Sequence, residues 1–525
     1  MRRRDLLSAG ALALAAPRIA QGQGQAVLRF VPQADLAVLD PTFTTATVTR
    51  NHAFMVFDTL YSLDAAGQPV PEMVEAHEAT DSGRTWTLRL RDGLRFHDGE
   101  TVRAVDCVAS LRRWARRDPF GKTLMAATDE LAAPDDRTLR FRLKQPFPLL
   151  PLALAKSIPQ VPFMMPARII PEDLAQPVRE MVGSGPFRFL AAERMPGARV
   201  VYERNPDYVP RPGGTPGLSS GPKIVHFNRV EWQVVPDGAT ALAAIRRGEV
   251  DWWERPLPDL LPAARADRNL RVEITNRSGT IAFLQFNHLY PPFDNPAIRR
   301  LVQSAVNQAD YAEAIGGSDP NMRGGKVGIF LPGAPMASEA GLEVLAGRTD
   351  FGNLRRELAE AGYRGERVVM LVGTDSAVNN AASEVTADLL RKMGFDVDYV
   401  STDWGSVVQR RTSQQPPGAG GWNLFAVSAD GDYFLDPTVS PPIRANGRDA
   451  WVGWPTSPRI EELYQAWFAA PDLAARQAVA RDLQLQTFQD VPYINVAQVF
   501  LPAVTRREVT GVLPGFAKFW NVRKE

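Results

Sequence analysis

Cysteine is almost missing from this chain of 525 residues; Cys107 is the single one. One thiol excludes an internal disulfide and a cysteine zinc site, and no cysteine follows the N-terminal leader to carry a lipid. Its place among apolar residues at helical spacing suits a small core residue rather than a reactive thiol. Histidine is scarce too. His52, His77, His97, His226 and His288 are scattered, and His77-Glu78 lacks the second histidine of a His-Glu-x-x-His metal site. Gly183-Ser184-Gly185 lacks the Gly-x-Ser-x-Gly spacing of a nucleophile elbow. There is no P-loop, no dinucleotide fingerprint and no Ser-x-x-Lys in a lactamase-like setting. These absences argue against an enzyme, a cofactor or a metal site, and leave an exported hydrolase as a remote alternative.

An excess of either charge is lacking as well: 60 Lys and Arg stand against 59 Asp and Glu, a net of +1. The leader contributes Arg2, Arg3, Arg4 and Arg18 against Asp5, a net of +3, so the remainder carries about −2. A near-neutral body argues against a nucleic-acid partner. No segment offers the roughly 18 uninterrupted apolar residues of a membrane span. The apolar run at 6–16 is too short to cross a bilayer and follows a basic start, the form of a signal peptide over 1–26. Arg3-Arg4-Asp5-Leu6-Leu7 fits a twin-arginine pattern, and an Arg-rich general secretory leader fits equally. Cleavage is expected between Ala20 and Ala26. The mature protein is expected to be soluble, periplasmic and free of a lipid anchor.

What is present is punctuation and alternation. Forty-three prolines and 40 glycines predict many turns and long connections. In 81–114, Trp86, Leu88 and Leu90 alternate with Thr87, Arg89 and Arg91, a half-buried strand. Asp92-Gly93 reads as a hairpin turn into a second run through Leu94 and Phe96. Ala104, Val108, Leu111 and Ala115 then recur at helical spacing. Leu139, Phe141 and Leu143 alternate with basic residues in another strand. Asn295-Pro296 is a helix start, with Pro at the first helical position. Val368–Gly373 is a continuous apolar run, suited to burial on both faces. A helix over 376–393 closed by Gly394 follows, then a strand through Phe395, Val397 and Tyr399. This is a βαβ unit with parallel pairing.

These pieces stand in a recognisable order. They are Val56-Phe57-Asp58-Thr59-Leu60-Tyr61, the 86–106 segment and Gly183-Ser184-Gly185-Pro186-Phe187. Glu203-Arg204-Asn205-Pro206-Asp207-Tyr208 and Gly248-Glu249-Val250-Asp251 come next. Phe286-Asn287, Pro292-Phe293-Asp294-Asn295-Pro296-Ala297-Ile298-Arg299 and Glu360-Ala361-Gly362 complete the series. Along nearly the whole mature chain the sequence resembles the family 5 extracellular solute-binding proteins, the periplasmic dipeptide and oligopeptide class of ABC importers. The resemblance implies an α/β, two-lobed periplasmic-binding-protein fold, class II-like with an extra inserted domain. Mixed sheets carry helices, and the ligand cleft lies between the lobes. Placed here, domain I would comprise 26–60, 177–277 and 495–525, domain II 61–176, and domain III 278–494. Hinge strands would lie near 275–285 and 485–497. Capture of a di- or oligopeptide, or a peptide-like solute, by hinge closure follows, with delivery to an ABC permease and ATPase by a monomeric receptor. An opine, a glutathione-like thiol, a nickel chelate, haem or an oligosaccharide is the alternative cargo.

In the peptide-binding members a Trp-containing strand leads to a loop Asp that pairs with the ligand's α-amino group. The counterpart here is 403–437, where Trp422 precedes Asp430, Asp432 and Asp436. The first Asp follows Trp422 by more residues than in peptide binders, so all three also read as turn carboxylates beside Gly431 and Pro437. Trp404 and Trp422 are candidate pocket walls or core residues. Thr45 and Thr47, in the Thr-rich stretch 44–47, are candidates from the first domain. Arg444 and Arg448 are candidates for a ligand carboxylate, and Asn287 for a contact near the hinge or a turn cap.

Overall fold

The computed structural model describes residues 27–173 and 176–525; the leader expected at 1–26 lies outside them. Three sheets organise the chain. The first has seven strands, in the order Phe187–Phe189, Arg199–Arg204, Arg229–Gln233, Val27–Val31, Trp252–Trp253, Ala503–Arg506 and Leu270–Glu273. Val27–Val31 lies at its centre, parallel to both neighbours, while the outer pairs are antiparallel. Its core is aromatic: Phe30 meets Trp232, Trp252 and Phe519 at ring-centroid distances of 5.5, 5.1 and 4.9 Å. Such rings each bury a large apolar area and interlock edge to face.

The second sheet has four antiparallel strands, Val74–Thr80, Thr85–Leu90, Thr138–Leu143 and Thr128–Asp135. Leu88, Leu90, Leu139, Phe141 and Leu143 point inward onto helix Ala104–Ala115, as their alternation requires. The hairpin expected at Asp92-Gly93 does not form. Both edges of Thr85–Leu90 are occupied, by Val74–Thr80 and by Thr138–Leu143, and 94–96 pairs instead with 100–102, Phe96 N donating to Glu100 O at 2.8 Å and Val102 N to Leu94 O at 3.1 Å. Cys107 is fully buried in this core, where desolvation pushes its thiol pKa up.

The third sheet runs Asp396–Thr402, Arg367–Gly373, Leu424–Asp430, Thr280–Phe286 and Tyr493–Val499. The βαβ unit forms as read: Arg367–Gly373 pairs in parallel with Asp396–Thr402, and helix Ala377–Met393 ends at Gly394 with φ +98°. Val369 and Leu371 enter one core while Val368, Met370 and Val372 enter another, so the strand is buried on both faces. Asn295 caps helix Pro296–Ala305 through Ala297 N. The chain passes between the first and third sheets at 274–279 and again at 500–502. The second passage lies beyond 485–497, because helix Leu473–Asp490 and strand Tyr493–Val499 continue through that stretch.

Gly183 and Gly185 serve this packing. A Cβ on Gly183 would fall 2.0 Å from Val56 O, and one on Gly185 2.6 Å from Met55 O. Gly185 N donates to Val56 O at 2.9 Å, and His97 N donates to Gly183 O at 2.8 Å. The Gly-Ser-Gly turn and the His97-Asp98-Gly99 turn together clamp the C-terminal end of helix Thr47–Val56.

Candidate functional site

The N-terminal end of that same helix opens into a narrow cavity between the lobes. The first lobe contributes Gln33, Ala34 and 45–48. The second contributes Ser376 and Asn379 at the start of helix Ala377–Met393, Phe283 and Ser428 of its sheet, and Trp404, Arg411, Tyr433 and Trp451.

The first-lobe wall is held rigidly. Asp40 is 2% exposed; it receives Arg113 Nη2 at 2.5 Å and Val178 N at 2.7 Å. Thr42 N donates to Asp40 Oδ1 at 2.9 Å, and Gln160 Nε2 to Thr42 O at 2.8 Å. Paired and hydrogen-bonded buried charges of this kind fix one loop conformation. Tyr433 OH donates across the cleft to Thr45 O at 2.8 Å, so the lobes are in contact at the cavity.

Arg411 is the one formally charged residue among those lining this cavity. It is 4% exposed and, among the described residues, has no carboxylate partner: its Nε is unpaired, and Nη2 reaches Thr45 Oγ1 at 3.4 Å. Trp451, Trp404 and Phe425 surround the guanidinium at 5.4, 5.7 and 5.9 Å. Burial lowers its pKa to about 10, so it remains a cation at neutral pH. Cation–π contacts contribute about 2 kcal/mol or less each and only partly offset desolvation, which costs several kcal/mol for an ion. Trp422, 0% exposed, fixes the backbone of Arg411 by donating Nε1–H to its carbonyl at 3.0 Å.

Two helices begin at the cavity without a side-chain cap, Thr47–Val56 after Ala46 and Ala377–Met393 after Ser376. Among the other helices, some start on Asp237, Asn295 and Asp472, whose side chains accept a first-turn N–H, while Leu150–Leu154 and Leu261–Arg265 also lack a side-chain cap. The cavity therefore receives two positive helix ends with open N–H donors. Asn379 Oδ1, also on the wall, is buried and unpaired.

A wider crevice adjoins the cavity and shares Thr45, Arg411 and Trp451 with it. It carries Arg116, Arg117, Lys122, Arg444 and Arg448 against a single carboxylate, Asp449. Arg117 lies over Phe43 at 3.8 Å, and Arg448 is exposed.

Of the residues singled out in the sequence, Thr45, Thr47 and Trp404 line the cavity. Trp404 does so from the first turn of a short helix, Trp404–Arg410, capped by Asp403. Asp430 lies outside the lining and is fully engaged: Oδ2 receives Arg50 Nη2 at 2.8 Å and Oδ1 receives Arg255 Nη2 at 2.9 Å. Arg50 belongs to the helix of the first lobe and Arg255 follows its central strands, so Asp430 ties the two lobes. Asp432 sits beside Ser278, with burial and the neighbouring Asp430 pushing its carboxyl up. Asp436 accepts from Thr438 N at 2.7 Å and Thr438 Oγ1 at 2.6 Å, the turn role open to it in the sequence. Asn287 is 0% exposed, donating to Trp422 O at 2.8 Å and accepting from Leu289 N at 3.0 Å. Arg444 is held by Glu461 through Nη2 at 2.6 Å, on the wall of the crevice. Arg411 was not singled out. An arginine inside the helical run that follows Trp404 reads as surface, and its aromatic surround is assembled from residues 404, 425 and 451.

Comparison with known proteins follows the same lines. The family model for bacterial extracellular solute-binding proteins, family 5, matches residues 68–446. A probable peptide ABC transporter periplasmic-binding protein of Sinorhizobium fredii is 35% identical, covering 99% of each chain. A glutathione-binding protein of Pectobacterium atrosepticum is 23% identical over 90% of this chain and 88% of its own. Among solved structures, the binding protein AgaA with agropinic acid, from A. tumefaciens R10, superposes with a TM-score of 0.78 at 21% identity, covering 95% of this chain and 99% of its own. Its likeness is in the fold: mixed sheets in two lobes around a cleft. With most of its length matched by the family model and a full-length relative at this identity, the chain belongs to the bacterial extracellular solute-binding proteins, family 5.

Proposed function

We propose that this protein is the exported substrate-binding component of an ABC importer, capturing a small peptide or peptide-like solute between its lobes and presenting it to a membrane permease and its ATPase. The observation that carries this reading is the inter-lobe cavity, walled by both lobes and bordered by direct contacts between them. A solute seated there touches both walls at once, so it stabilises the closed arrangement by its differential affinity for it. A binding role needs no nucleophile or base. The ionisable side chains of the cavity wall, Arg411 and Tyr433, suit recognition rather than covalent chemistry. We read the mature chain as a monomer without a lipid anchor; no helix among the described residues is long and apolar enough to cross a membrane.

Native mass spectrometry of protein isolated from its periplasm tests the reading. The expected spectrum carries one small solute per chain. Removing it by unfolding and refolding should expand the particle in small-angle X-ray scattering, and adding it back should compact it. Protein that binds no solute from periplasmic extract, and shows no change in dimensions, would overturn it.

A further inference from the structure

We infer that the cleft takes an organic anion, whose carboxylate sits on Arg411 between the starts of helices Thr47–Val56 and Ala377–Met393, and that Asp430 holds the lobes together rather than the solute. This rests on the solute-binding reading above and names the class of solute.

Three independent features converge on the same space. Arg411 is nine-tenths buried with Nε unpaired, so the protein bears the desolvation of a cation without a counter-ion. A carboxylate on the Nε–Nη2 edge supplies two charge-assisted hydrogen bonds in a geometry matched to the planar guanidinium. The helix starts at Thr47 and Ala377 come from opposite lobes and carry no side-chain cap, so an anion between them satisfies N–H donors of both and favours closure. The neighbouring crevice is also basic, and a cleft rich in one sign of charge raises the local concentration of oppositely charged solute.

The expected ammonium partner is occupied. Asp430 is 3% exposed and meets two arginines of the first lobe. An ammonium would have to displace a guanidinium, leaving Arg50 buried without its carboxylate. Of the remaining carboxylates nearby, Asp432 sits beside Asp430 and Ser278, while Asp35 and Asp375 line a second inter-lobe crevice that meets the cavity at Gln33, Ala34 and Ser376, with Asp375 engaged by Trp404 N at 2.6 Å and Asp35 Oδ1 buried without a partner.

The test uses acid and amide pairs on solute-stripped full-length mature protein. The probes are N-acetyl-L-phenylalanine and L-pyroglutamate, each against its carboxamide, together with L-alanyl-L-alaninamide, which has an ammonium and no carboxylate. Calorimetric titration should show the acids binding at least about tenfold more tightly than their amides. Arg411→Met should abolish the difference while melting no lower than the native protein, and Arg411→Lys should keep part of it. The inference is overturned if acids and amides bind alike, if L-alanyl-L-alaninamide binds as well as the acids, or if neither acid binds. A neutral or cationic solute recovered from the periplasm would refute this inference and leave the receptor reading standing.

Discussion

Asp430 shows how much one residue's meaning depends on what faces it. In the chain it is a turn aspartate after a strand; in the fold it is the carboxylate on which Arg50 and Arg255 meet. Arg50 is fully desolvated, stacked on Phe516 at 4.5 Å and bonded to Asn51. Replacing Asp430 by Ala removes the counter-ion and leaves Arg50 buried, for which a loss of about 3–5 kcal/mol is expected. Urea denaturation checks it, and a loss below 1 kcal/mol would show the pair to be solvated. The same residue marks the limit of sequence reading. Thr45, Thr47 and Trp404 were legible because a Thr-rich loop and an aromatic near a strand end are ordinary cleft material. The burial of Arg411 and the pairing of Asp430 were not, since their partners lie far away in the chain.

Elements were more legible than sites, because their signals are local. The cap at Asn295, the stop at Gly394 and the apolar run ending at Gly373 each act within a few residues, and each forms as the pattern requires. The hairpin at Asp92-Gly93 failed because strand pairing is decided by edges the sequence does not display. The Gly-Ser-Gly turn lies between these cases: two close glycines suit a turn, but they do not display the helix end packed against them. Gly185→Ala would drive a methyl into the backbone at Met55 and Val56. Overpacking of this kind is expected to cost about 1–3 kcal/mol, and it shifts the helix whose other end lines the cavity. A melting temperature lowered by several degrees, with weakened solute binding, is the outcome expected from thermal melts and titration. An unchanged melt would mean that the turn can move away freely.

At the scale of the whole molecule, the interior stores groups whose protonation differs between folded and unfolded chains. His52 is 0% exposed, against Tyr202 OH at 2.8 Å and the ring of Phe189 at 5.4 Å. Burial, and then the charge of Arg194, lower its pKa from 6.5 to about 3. Burial likewise holds His288 well below its ordinary value, with Arg299 adding to the effect. The unfolded chain binds these protons from pH 6.5 downward while the fold refuses them. The contribution of His52 to stability is therefore complete above pH 6.5 and is lost as pH falls toward 3, and that of His288 has the same sign. Glu72 opposes this. Burial raises its carboxyl to about 7 despite Lys223, so its proton, held in the fold, favours the folded state as pH falls from 7 toward 4.5. The net acid response mixes both signs, and a variant separates them. His52→Asn removes one titrating group, so the stability of the native protein relative to the variant should fall by about 1.4 kcal/mol per pH unit below pH 6.5, roughly 2 kcal/mol by pH 5. Urea denaturation of both proteins at pH 7.5, 6.0 and 5.0 measures that difference. Parallel stability curves would mean that His52 takes up its proton inside the fold, and that the first-lobe core around helix Thr47–Val56 admits water.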